Sequence, residues 1–93
     1  DKIVEHVKEV SVYLEGRLDE LVKEYDFLEA RRGKGLMQGL VVSGRPVGGI
    51  VSKGLENGLV VISAGSNVLR MLPPLVIEKE HVDEMIEKLK KSF

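Results

Sequence analysis

Cysteine is missing from the 93 residues, tryptophan is missing too, and the two Tyr and two Phe make aromatics only 4% of the chain. Without a thiol there can be no disulfide framework, no zinc-thiolate site and no cysteine nucleophile, and the expected compartment is intracellular, namely the cytoplasm. An excess of one charge is also missing. Fourteen Lys and Arg face fifteen Asp and Glu for a net charge of -1, so the composition favours neither a nucleic-acid nor an anionic-membrane partner. Apolar runs such as Leu59 to Ile62 fall far short of the roughly 20 residues that cross a bilayer, and no basic-then-apolar leader opens the sequence. What is present is a composition 43% hydrophobic and 31% charged, that of a folded domain rather than a disordered tail. The length allows one core and excludes two complete domains.

Ile3, Val7, Val10, Leu14, Leu18, Leu21 and Tyr25 recur at helical spacing and predict one long amphipathic helix, which at about 1.5 Å per residue is roughly 36 Å long. Gly16 interrupts it, with a close packing neighbour or a slight bend as the expected reason. Phe27 to Arg32 and Leu36 to Val42 read as two antiparallel strands around a Gly33-Lys34-Gly35 turn. Pro46 opens a short helix over 46–57 that Asn57-Gly58 stops. Leu59 to Ile62 and Val68 to Leu72 read as a second strand pair, Leu75 to Ile77 as extended, and Val82, Met85, Ile86, Leu89 and Phe93 as a closing helix. The predicted architecture is α+β: a small, mostly antiparallel sheet of about four strands packed with three helices.

Candidate chemistry is sparse. His6 and His81 lie far apart in sequence with no paired ligand spacing, so no metal site is expected and both read as solvated helix residues. The six serines (Ser11, Ser43, Ser52, Ser63, Ser66 and Ser92) sit in no elbow or lysine-paired motif, and no nucleophile is assigned. Gly33-Lys34-Gly35 and Gly44-Arg45-Pro46-Val47-Gly48-Gly49 join glycine to a base, yet match neither nucleotide fingerprint. A turn explains the first, and close helix packing explains Gly48 and Gly49. Arg31, Arg32 and Lys34 form a basic cluster without interleaved aromatics and read as a solvated strand end. Arg70 differs, because it sits in the most apolar decade of the chain, Val68 to Ile77. A guanidinium there needs a partner if its strand is buried. Two readings stand at this point: half of a structural ion pair, or a two-pronged receptor for a ligand carboxylate.

Taken in order, Arg32-Gly33-Lys34-Gly35-Leu36-Met37-Gln38-Gly39, then Glu56-Asn57-Gly58-Leu59, then Asn67-Val68-Leu69-Arg70-Met71-Leu72-Pro73-Pro74-Leu75 resemble the C-terminal segment of class III pyridoxal-phosphate aminotransferases. The resemblance runs from about Val7 to Phe93. It implies a fold type I homodimer whose large domain carries the Schiff-base lysine and the phosphate-binding groups, with residues 1–93 as a single C-terminal domain cut from a longer enzyme. The start at Asp1, without an initiating Met, agrees with that expectation.

Nothing in the chain resembles the family's lysine motif. Lys34 and Lys53 are therefore not assigned that role, no catalytic, cofactor-binding or metal-binding residue is expected, and the isolated chain is expected to be silent. The resemblance gives Arg70 the role of holding a substrate carboxylate, or of pairing with a glutamate of the large domain between half-reactions. The implied reaction moves the δ-amino group of N-acetylornithine to 2-oxoglutarate in arginine synthesis, with ornithine or another ω-amine as alternative donor. Gln38, where the family often has an apolar residue, and Ser66, at a position frequently glycine-like, depart from the pattern. The rival reading is a standalone α+β binding or dimerisation module. Standing alone, the segment is expected to leave apolar surface uncovered, chiefly on the first helix, and to self-associate.

Overall fold

The computed structural model describes residues 2–34, 37–65, 67–71 and 78–93. Helix α1 (Lys2–Glu24) leads into strands β1 (Leu28–Lys34) and β2 (Met37–Val42), followed by α2 (Val47–Glu56), β3 (Val61–Ala64), β4 (Val68–Met71) and α3 (Lys79–Ser92). The four strands form one antiparallel sheet in the order β1-β2-β4-β3. The predicted strand pairs are thus both present and are joined by β2 beside β4. The readings that fall on Gly35, Leu36, Ser66 and Leu72 to Ile77 lie outside the described residues.

The helices cover one face of the sheet. Val10, Leu14, Leu18 and Leu21 of α1, with Val47 and Ile50 of α2 and Val82, Met85, Ile86 and Leu89 of α3, meet Leu28, Leu40, Val42, Val61, Leu69 and Met71 of the strands in one apolar cluster. Leu14, Leu18, Leu40 and Leu69 are completely buried. The stripe predicted for α1 is therefore consumed by the core. Burying side chains of this size contributes about 1.5–3 kcal/mol each.

Several local readings change. Gly33 lies inside β1 rather than in the turn, with φ +127°. Strand β3 begins at Val61, not Leu59, because Leu59 is used to close α2. Its amide donates to the Gly54 carbonyl at 2.7 Å while Gly58, at φ +79°, donates to Leu55 at 3.1 Å, the double bond of a Schellman stop. Helix α3 starts earlier than Val82 because Glu78 and His81 make a reciprocal capping box. A Cβ added at Gly16, Gly48 or Gly49 would meet nothing within 4 Å, so close packing does not explain those three glycines. It explains Gly54, whose Cβ would lie 3.3 Å from the Leu59 carbonyl oxygen.

Candidate functional site

The site lies on the sheet face that the helices leave open, and a bulge in β1 decides which residues reach it. Leu28 pairs with Val42, but the next partner on β1 is Ala30, opposite Val41, so the register shifts at Glu29. Strict alternation from buried Leu28 would aim residues 30 and 32 at the helices. The extra residue reverses this, so that Arg31 turns inward and Arg32 outward.

Arg31 is then taken up by α1 and β2: its Nε donates to Asp19 at 2.8 Å, its Nη1 donates to Gln38 Oε1 at 3.0 Å, and Nη2 lies 3.9 Å from Glu15. Gln38, only 1% exposed, also reaches Glu15 at 3.5 Å. The polar residue that departs from the family pattern is thus a hydrogen-bonded member of the helix-facing layer.

On the open face, Arg32 stands opposite Gly39, Gly39 opposite Arg70, and Arg70 opposite Ile62. Residues directly opposite in a ladder share a face. One transverse row therefore reads Arg32, Gly39, Arg70, Ile62, and the neighbouring row reads Ala30, Val41, Val68, Ala64. A cleft of about 390 Å³ opens over this surface, lined by Arg32, Met37, Gly39, Ala64, Val68 and Arg70 among others. Arg70 is exposed. Neither it nor Arg32 has a side-chain hydrogen bond or ion pair among the described residues. The condition under which Arg70 would need an internal partner, burial of its side chain, is not met, and two planar forks face open space above an apolar floor. Such forks match carboxylate oxygens two at a time.

The other candidates are absorbed by structure. His6 Nε2 lies 3.2 Å from the Glu78 carboxylate, and His81 Nδ1 accepts the Glu78 amide at 3.1 Å, so both histidines brace the start of α3 rather than standing free in solvent. No group of three or more metal-ligating side chains occurs among the described residues. Ser11 and Ser92 donate back to the carbonyls of Val7 and Lys88. Arg45, the base of the second glycine cluster, donates to the Phe93 carbonyl at 2.8 Å and stacks 4.0 Å from the Phe27 ring centroid. Lys53 is exposed on α2, away from the cleft. Sequence reasoning singled out Arg70 but not Arg32 or Gly39. The alternation needed to find them is broken by the bulge, which leaves no mark in residue type.

A sheet backed by helices on one face, with an arginine-lined cleft on the other, defines a module built to receive a carboxylate. The chain belongs to the aminotransferase class-III family, whose model matches residues 1–93. Acetylornithine aminotransferase of Methanocaldococcus jannaschii is 39% identical over 93 residues, which is all of this chain and 22% of that protein. The Aquifex aeolicus acetylornithine aminotransferase is 41% identical over 90 residues, 97% of this chain and 22% of that one. Among solved structures, N-acetylornithine aminotransferase from Stenotrophomonas maltophilia superposes with TM-score 0.85 at 32% identity, covering 98% of this chain and 26% of its own. Plasmodium falciparum ornithine delta-aminotransferase gives 0.89 at 31%, with 98% and 24% covered. The chain thus spans about a quarter of the length of the proteins it matches.

Proposed function

We propose that residues 1–93 are the C-terminal small domain of an acetylornithine aminotransferase, which moves the δ-amino group of N-acetylornithine to 2-oxoglutarate in arginine biosynthesis. The observation that carries this reading is the unpaired, outward-facing Arg70 in a cleft that offers no carboxylate of its own. Both substrates bear carboxylates, and the guanidinium's role is to bind and orient one of them for the reacting amine or carbonyl. The relatives' names supply the donor. The match to an ornithine delta-aminotransferase makes ornithine the second donor to test.

The family implies pyridoxal phosphate, which when bound supplies an electron sink for amino-group transfer. The cleft residues do not fit it. No lysine lines the cleft, and no acidic side chain is there to face a pyridine nitrogen. The cofactor is therefore assigned to the larger domain, and this chain contributes carboxylate recognition alone. The open sheet face, with Met37 and Ile62 exposed, is the surface against which that domain would lie, in a cytoplasmic homodimer.

The test is steady-state kinetics on the full-length enzyme with both donors. Arg70→Lys keeps the charge and loses the fork, and Arg70→Ala loses both. kcat/KM for 2-oxoglutarate is expected to fall progressively, by about 1.5–3 kcal/mol for the alanine variant, with cofactor affinity nearly unchanged. An unaltered kcat/KM would withdraw Arg70 from the substrate site, and absence of turnover with either donor would withdraw the assigned reaction.

A further inference from the structure

The cleft holds two unpaired guanidiniums, and substrate orientation by Arg70 accounts for one. Arg32 and Arg70 stand on either side of the same residue, Gly39, on β1 and β4. Strands lie about 4.8 Å apart, so the two backbones are about 10 Å from each other, two ladder spacings. Gly39 leaves the floor between them bare. An added Cβ would project there, 3.3 Å from Val68 Cγ1. The flanking walls come from Met37, Val68 and Ala64, which offer apolar surface and no hydrogen-bonding side-chain atoms.

Two like charges above one small apolar floor repel each other, and no acidic side chain of the cleft offsets them. Arg31, the adjacent residue, shows the contrast, since its guanidinium is held by Asp19, Glu15 and Gln38. The complement to this surface is a dianion whose charged ends are separated by a short apolar spacer. A single carboxylate would engage one fork and leave the other unpaired.

We propose that Arg32 is a second carboxylate receptor, so that the row Arg32, Gly39, Arg70 takes the two ends of one short aliphatic dicarboxylate with its methylenes over Gly39. This rests on the reading above, in which Arg70 holds a substrate carboxylate, and assigns Arg32 the selection of acceptors with two carboxylates over those with one.

The experiment compares competitive inhibition by glutarate and by butyrate against 2-oxoglutarate in the full-length enzyme, for wild type, Arg32→Gln, Arg32→Lys and Arg70→Gln. Arg32→Gln is expected to weaken glutarate about tenfold, the scale of one lost charged hydrogen bond, while leaving butyrate unchanged. Arg32→Lys is expected to recover part of that loss and serves as the second variant if glutamine impairs folding. Arg70→Gln is expected to weaken both inhibitors. If Arg32→Gln moves glutarate and butyrate equally, or moves neither, while Arg70→Gln weakens both, the role of Arg32 is refuted and that of Arg70 stands. If Arg70→Gln weakens neither inhibitor, the substrate-site reading itself fails.

Discussion

Gly33 is the residue on which the geometry of the cleft turns. Its φ of +127° is closed to L side chains, and a Cβ there would lie 2.0 Å from the Met37 carbonyl oxygen and 2.9 Å from Gln38 Cα. Both are backbone atoms and neither can rotate away. Gly33→Ala must therefore part β1 from β2 at the end where Arg32 and Gly39 pair. The expected loss is at least about 2 kcal/mol of stability, or roughly 10 °C in Tm for a chain of this size, measurable by thermal melts of the 93-residue chain. A wild-type Tm would mean that the strand end relaxes freely. Residue type alone marked Gly33 as a turn glycine. Its place within the strand depends on how far the ladder extends, which glycine and lysine side chains do not encode. Arg70 was legible because a cation amid apolar neighbours is conspicuous, whereas Arg31 and Arg32 are chemically identical and only the bulge at Glu29 separates their roles.

Between elements, α1 and α3 are clamped by polar side chains at the rim of the core. The Tyr13 hydroxyl donates a short hydrogen bond to Asp83, Arg17 Nε lies 3.5 Å from the same carboxylate, and Lys79 Nζ sits 5.8 Å from the Tyr13 ring centroid. The hydrogen bond to Asp83 is the largest cause holding the Tyr13 pKa above its ordinary 10.0. A group that binds its proton more tightly when folded stabilises the fold while protonated, so the contribution is whole below pH 10.0 and disappears as pH rises through the higher folded pKa. Melts of the wild-type chain are expected to lose more stability above pH 10 than those of Tyr13→Phe, which has no proton to release. Superimposable pH profiles would remove the clamp from the account. The helices themselves were readable from spacing, because the periods that bury Leu14, Leu18 and Leu21 are set locally. The clamp was not, since Tyr13 and Asp83 are brought together only by tertiary packing, and neither was the start of β3, which yields Leu59 to the stop of α2.

At the scale of the whole molecule, the helices finish one side of the sheet and leave the other uncovered, with Met37 62% and Ile62 40% exposed. The element order was legible in the sequence, but the strand order β1-β2-β4-β3 was not, because long-range pairing leaves no local period. Without that order the open face cannot be located, and the first helix seemed the natural candidate for uncovered apolar surface. If two copies met through the sheet and each covered about 400 Å² of apolar surface, the gross gain would be about 20 kcal/mol at about 25 cal/mol per Å². The loss of rigid-body freedom removes about 4–15 kcal/mol, and four guanidiniums would be drawn together across the interface. Self-association of the lone chain is therefore expected to be concentration-dependent and to strengthen with added salt, which screens that repulsion. Met37→Lys with Ile62→Lys is expected to return the chain to monomer in light scattering, while Val12→Lys with Leu55→Lys, at exposed positions of α1 and α2, is expected to leave association intact. A monomer at high concentration in high salt, or dissociation by the helix pair instead of the sheet pair, would show that the open face is not the adhesive surface.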